Sequence, residues 1–218
     1  TTTAAAAAGA KKTTFNPRDF GAKGDGAADD YAAIHAAAAA ATLEARRGAG
    51  GYATLEFTQG SYRIGSGTGR GVDTGGLQLT DAQNLAVLFH SGAELLIDNL
   101  DQRSLGSQGH GVLISGNSSN ITLQGVSVRW KVQPSGRSQG DGIRVLGVAN
   151  VRTGGGPSNI SIIDGQVVGA AQAGVIFMGV QDIIVRNLTV RDTLADGLHL
   201  NACRRITVDR LTSINTGD

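Results

Sequence analysis

One spacing constrains this chain more than any other property. Gly174 and Gly197 are 23 residues apart, and so are Ile183 and Ile206, and Leu188 and Leu211. Three independent landmarks that keep one interval mark an internal repeat of the kind that stacks. Each repeat opens on Gly–apolar–x–apolar: Gly76–Leu79, Gly111–Ile114, Gly142–Val145, Gly174–Phe177 and Gly197–Leu200. A second short apolar run follows in the later repeats, at Asn120–Leu123, Asn159–Ile162, Asp182–Val185 and Arg205–Val208. A third follows at Val126–Val128, Gln166–Val168, Leu188–Val190 and Leu211–Ile214. Three short strands per repeat, with no room for a helix, predict an all-β parallel β-helix in which each repeat is one coil. A leucine-rich repeat has one strand per unit and a Leu-dominated pattern, and a β-sandwich does not keep a constant period.

Within each first strand the alternation points two apolar residues inward and the one between them outward. Val112/Ile114, Ile143/Val145, Val175/Phe177 and Leu198/Leu200 are thus expected to stack as internal ladders. Leu113, Arg144, Ile176 and His199 form an outward column, and His110, Asp141, Ala173 and Asp196 stand just before each glycine. Gly111 to Gly142 spans 31 residues and Gly142 to Gly174 spans 32. The surplus falls in Trp130–Gln139 and Gly147–Pro157. Both insertions flank the first-strand sheet, which makes that sheet the expected floor of a cleft with loop walls.

Ahead of the repeats, residues 1–14 read as a flexible lead-in of small residues. Residues 15–75 read as an N-terminal cap, and residues 76–218 as the coils. Tyr31–Arg47 is Ala-rich, is preceded by Asp29 and Asp30 and is followed by Gly48; this predicts one helix that closes the end of the stack. Gly51–Gly65 predicts two strands about a turn at Gln59–Gly60. Asp25, Asp29 and Asp30 read as turn and capping residues rather than a metal cluster, and no cofactor is expected. His35 reads as a helix-surface residue, and the lone Cys203 as a small packed side chain.

Charge and composition narrow the function. The net charge is +1 with Lys and Arg scattered, which argues against nucleic acid as partner. No apolar run approaches the roughly 18 residues that span a membrane. What remains is an open polar face. Asp196 and Asp218 are 22 residues apart, close to one coil, so they are expected on neighbouring coils of one face. Two carboxylates in one cleft are the minimum for glycoside hydrolysis: one protonates the leaving oxygen, and the other activates water or attacks carbon. The competing reading is that Asp-Gly and Gly-Asp are ordinary turn residues. His199, Arg144, Asp141 and Trp130 are the candidate substrate-binding residues. Arg144 either binds an anionic sugar or pairs with Asp141, and Trp130 either stacks on sugar or continues the inward alternation of Val126 and Val128.

Asp19-Phe-Gly-Ala-Lys-Gly-Asp-Gly26, Asp29-Asp30, Ala32-Ala-Ile34 and Gly51–Ile64 resemble the opening of the pectate-lyase-like, right-handed parallel β-helix superfamily. Asp196-Gly197 and Gly217-Asp218 are similar to the active-site coil of polygalacturonase-type glycoside hydrolases and β-helical α-1,3-glucanases. The resemblance implies Asp218 as general acid and Asp196 as a water-activating carboxylate in an inverting mechanism. It also implies a secreted or cell-surface protein with a polysaccharide or oligosaccharide substrate. Leu194-Ala195 stands where polygalacturonases carry Asn-Thr, closer to the glucanase pattern. Those families place a second Asp after Gly-Asp, at the position following Asp218. The corresponding expectation is a C-terminal remainder, or a partner chain, that completes the β-helix. Two other functions fit the same fold: a glycan-binding appendage of the phage-tailspike type, and a polysaccharide lyase or epimerase needing Ca²⁺ and a basic proton abstractor.

Overall fold

The computed structural model describes residues 13–47, 51–65, 74–100, 109–147 and 156–217. A short strand β1 (Thr14–Phe15) and a 3₁₀ turn (Pro17–Phe20) lead into helix α1 (Tyr31–Ala45). Then come β2 (Ala53–Phe57) and β3 (Gly60–Ile64), followed by the coil β4 (Gly75–Thr80), β5 (Gln83–Phe89) and β6 (Ala93–Ile97). The next coil is β7 (His110–Ser115), β8 (Ser119–Gln124) and β9 (Ser127–Trp130). After it come β10 (Ile143–Leu146), β11 (Ser158–Ile163) and β12 (Gln166–Val168). The last two coils are β13 (Val175–Met178) with β14 (Gln181–Thr193), and β15 (Leu198–Asn201) with β16 (Arg204–Thr216).

Every pairing between these strands is parallel and joins one coil to the next. The five strands opening on Gly–apolar–x–apolar form one sheet, in the order β4-β7-β10-β13-β15. The second and third strands of each coil form the other two faces. They merge into one 11-stranded sheet because β14 runs unbroken around the corner that separates β11 from β12. β2 and β3 do not pair with each other as a hairpin. They register instead with β5 and β6, so the stretch around Gln59–Gly60 is already a coil corner.

The corners explain much of the polar sequence. Asn84, Asn120, Asn159, Asp182 and Arg205 all take the left-handed conformation, with φ between 51° and 58°. Asn and Asp enter that region more readily than other side-bearing residues. Their side chains then bond from coil to coil: Asn120 Nδ2 donates to Asn84 Oδ1 (2.8 Å), and Asn159 Nδ2 to Asn120 Oδ1 (2.7 Å). At the fifth coil an ion pair replaces the amide bond, as Arg205 Nη2 donates to Asp182 Oδ2 (2.7 Å).

Inside, the ladders run as the alternation predicts. Leu79, Ile114, Val145 and Phe177 are each fully buried and in register. Leu55, Val87, Leu123, Ile162 and Val185 do the same on the second face. The N-terminal end is covered by α1, whose Ile34, Ala37, Ala38, Ala41 and Ala45 share one face and are buried. Asp30 precedes α1 but does not cap it with its side chain; its carboxylate receives Lys23 N (2.6 Å) and Gly24 N (3.0 Å). Asp29 Oδ1 receives Tyr31 N (3.2 Å) and Gly65 N (3.0 Å), tying the helix start to the end of β3. Asp25 Oδ1 closes a turn onto the N–H groups of Ala27 and Ala28. In the last coil Leu200, Ile206 and Val208 continue the inner ladders and are about two-fifths exposed.

Candidate functional site

The outward column of the first sheet is continuous. Gln78, Leu113, Arg144, Ile176 and His199 stand in register on β4, β7, β10, β13 and β15. Strands in a sheet are about 4.8 Å apart, so Arg144 lies roughly 9.6 Å from His199 along this face. The column is not uniformly open. Leu113 and Ile176 are buried although they point away from the core.

At one end of the column Asp196 and His199 form a pair. Asp196 sits in the turn that enters β15, where its carbonyl receives Gly174 N (2.8 Å) and the next carbonyl, Gly197 O, receives Val175 N (3.0 Å). These bonds hold the turn in register with the previous coil. His199 follows three residues later, which brings its Nδ1 to 2.9 Å from Asp196 Oδ2. Both side chains are about one-third exposed. With Nδ1–H donated to the carboxylate, Nε2 is left as an acceptor facing outward. Asp196 Oδ1 has no partner among the described residues and is open to a ligand or water. Asp218, the expected second carboxylate, lies outside the described residues. Gly217 is the last described position, and its N–H donates to Ala195 O (3.0 Å).

Arg144 and Asp141 form a second pair, of a different kind. Asp141 is completely buried, so it does not face a ligand as expected from its place before Gly142. Its Oδ1 receives Ala173 N (3.0 Å) and its Oδ2 receives Arg144 Nη1 (2.9 Å). A carboxylate in that position needs those donors to remain ionised, and they leave it nothing to offer a substrate. Its role is to hold Arg144 against the sheet, where Arg144 Nη2 also reaches Met178 Sδ (3.5 Å).

His110, which the sequence reading noted only as a column position, completes this cluster. It is buried, its Nδ1 accepts the N–H of Asp141 (3.1 Å), and Nδ1 lies 3.3 Å from Asp141 Oδ2. Neither His110 Nε2 nor Arg144 Nε has a partner among the described residues.

Trp130 is 4% exposed and belongs to the hydrophobic core. The inward alternation of Val126 and Val128 carries through to it, so it is not the sugar platform in a cleft wall that its position allowed. The first insertion folds along the later coils, with Ser138 N donating to Ala171 O (3.0 Å) and Gln133 Nε2 to Asp192 O (3.1 Å). It borders the turns that carry Asp141 and Asp196. Residues 148–155 of the second insertion lie outside the described residues.

No family model matches the chain, and no curated protein matches it. Solved structures do. The chain is similar to the mannuronan C-5 epimerase AlgE6 A-module of Azotobacter vinelandii, with TM-score 0.61 and 20% identity over 93% of this chain and 50% of that one. It is also similar to the family GH82 iota-carrageenase of A. fortis, with TM-score 0.56 and 17% identity over 96% of this chain and 41% of that one. The chain therefore spans about half the length of the epimerase module and less of the carrageenase. At these identities the likeness carries the fold alone: the chain is a right-handed parallel β-helix of the pectate-lyase-like kind.

Proposed function

We propose that this chain is the part of a polysaccharide-acting enzyme that carries its catalytic floor, and that the enzyme is a glycoside hydrolase. The observation supporting this reading is the half-exposed Asp196–His199 pair, held at 2.9 Å at the end of the outward column. A glycan lying along the β-helix axis would cross that column and meet Asp196. In the proposed reaction Asp196 accepts a proton from water as the water oxygen bonds to the anomeric carbon. Asp218 gives a proton to the glycosidic oxygen as the C–O bond breaks. His199 holds the Asp196 carboxylate ionised and fixes which oxygen meets the water. Arg144 contributes a cation farther along the same face. An inverting reaction requires carboxylates roughly 6.5–9.5 Å apart, with room for that water. The same reading makes the protein secreted or cell-surface.

A second reading, lyase or epimerase, draws on His199 itself. An outward imidazole nitrogen beside a carboxylate is suited to removing a carbon-bound proton, and one structurally similar protein is named as an epimerase. The two readings separate by product. With the full-length protein and a panel of neutral, carboxylated and sulfated polysaccharides, the hydrolase reading expects new reducing ends with no unsaturated sugar. Unsaturated products, or solvent deuterium entering the sugar without chain cleavage, would replace it with the second reading.

A further inference from the structure

The groove between α1 and β4 lies at the opposite end of the outward column from Asp196. It has a volume of about 440 Å³ and is lined on one side by Thr42, Leu43 and Arg46 of α1, and on the other by Gln78 and Thr80 of β4. Gln78 is the first member of the column that ends on His199, four strand steps or roughly 19 Å away. Thr80 Oγ1 is 3.1 Å from Ser115 Oγ. Ser115 in turn lines a second depression of about 390 Å³, with Asn117 and Leu146. A chain laid along the β-helix axis over the first sheet would thus pass from the depression into the groove.

Arg46 is the distinctive group there. Its Nε donates to Asp81 O (3.0 Å) and its Nη2 to Thr80 O (3.2 Å), so main-chain carbonyls hold the guanidinium flat against the end of β4. Nη1 has no partner among the described residues, and no described carboxylate pairs with Arg46. The neighbouring acids are already committed: Glu44 pairs with Arg47 (3.2 Å), and Asp81 Oδ1 receives Asn117 N (2.8 Å). No acidic residue lines the groove. A guanidinium that is already oriented loses little further freedom on meeting an anion, and its planar fork matches a carboxylate or a sulfate. Beside it, Leu43 is 57% exposed and offers an apolar surface to the C–H face of a sugar, while Gln78, Thr80 and Thr42 offer groups for hydroxyls.

We propose that the α1–β4 groove is a distal subsite that takes a sugar unit carrying an anionic substituent, with Arg46 as its anchor. This rests on the reading of the chain as polysaccharide-acting. Carboxylate and sulfate ester present the same chemistry to Arg46, and the test separates them.

The test uses the full-length protein with Asp196→Asn, so that probes are bound without turnover. Calorimetry measures binding of a carboxylated oligosaccharide (oligogalacturonate), a sulfated one (a carrageenan fragment) and an uncharged one (α-1,3-glucan oligosaccharide). The expected result is that one charged probe binds more tightly than the uncharged probe and weakens as salt is raised. Arg46→Gln should cost that probe about tenfold in Kd and leave the uncharged probe unchanged. Thr42→Trp fills the groove from the helix surface without removing the bonds of Arg46. It should weaken the same probe, and it decides the matter if Arg46→Gln disturbs the fold. Selective binding of the carboxylated or of the sulfated probe assigns the substituent. The proposal is overturned if neither charged probe outbinds the uncharged one, or if the folded variants leave every Kd unchanged. If the wild type turns over none of the probes while binding still depends on Arg46, the groove stands and the hydrolase reading falls. If turnover proceeds without dependence on Arg46, only the groove falls.

Discussion

The glycine that opens each first strand makes the repeat testable at one atom. A Cβ on Gly174 would fall inside van der Waals contact with Val190 Cγ1 and lie 2.7 Å from Gly197 O of the next coil. Val190 is fully buried and β-branched, so its methyl cannot swing aside, and the carbonyl is tied into the sheet through Val175 N (3.0 Å). Gly174→Ala should therefore show overpacking, at about 1–3 kcal/mol. The backbone gain from replacing Gly in an ordinary conformation offsets about 0.4–1 kcal/mol of this. A net loss of about 1–2 kcal/mol corresponds to a Tm lowered by roughly 2–8 °C for a chain of this size. Val190→Ala removes the obstructing methyls and alone should cost about 1–2 kcal/mol. If the two side chains compete for one space, the double variant should be about 1 kcal/mol or more better than the sum of the single changes. Gly197→Ala is the internal control: its Cβ meets the hydroxyl of exposed Ser213, which can rotate away, so its cost should be smaller. Urea unfolding of the four proteins measures the cycle. A neutral Gly174→Ala, or strict additivity with Val190→Ala, would refute the stacking of first-strand glycine on third-strand valine.

Three further outcomes test other parts of the structure. Asp141→Leu should leave the Arg144 guanidinium without its buried partner and cost about 3–5 kcal/mol, whereas Asp141→Leu with Arg144→Met should recover much of that loss; equal losses in urea unfolding would show that the pair is not coupled. Trp130→Phe removes a buried Nε1–H that has no partner among the described residues, so stability should change by less than about 1.5 kcal/mol and oligosaccharide affinity not at all; weakened binding by calorimetry would return Trp130 to the cleft. Burial raises the Glu94 carboxyl, but hydrogen bonds from Arg129 and Ser61 lower it by more, to below its ordinary 4.5. The folded state then binds this proton more weakly than the unfolded chain, so the stabilisation is complete above about pH 4.5 and is lost as pH falls through the depressed value. Arg129→Met should flatten that acid limb in a stability–pH series, and an unchanged limb would contradict the assignment.

The coils were legible because their constraint repeats. Inward apolar residues and the first-strand glycine recur at one interval, and a shift by one residue would turn every ladder outward. β5 and β6 were not singled out, although Leu85, Val87 and Phe89 alternate as clearly as any later strand, because the first coil is set off from the others by a longer interval. The site was legible only in part. Period-two alternation tells which face a side chain leaves from, and not what lies over that face. Asp141 and Asp196 hold the same column position, yet one is buried beneath Arg144 and the Ala173 N–H, and the other is open beside His199. Leu113 and Ile176 point outward and are still buried. For Trp130 the same alternation was the better guide, since it continues an inward run. The α1–β4 groove had no local signature at all. It depends on where a helix from one part of the chain lands on a strand more than thirty residues later.

The most direct measurement is turnover by the Asp196→Asn variant of the full-length protein. Wild type is first screened for release of reducing ends from neutral, carboxylated and sulfated polysaccharides, and circular dichroism confirms that the variant is folded. Asn keeps the shape of the side chain and its contact with His199, and it cannot take a proton from water. The account predicts that reducing-end release falls by at least about a hundredfold, the lower range for loss of a general base, while oligosaccharide affinity is retained. Release at the wild-type rate by a folded Asp196→Asn protein would contradict it.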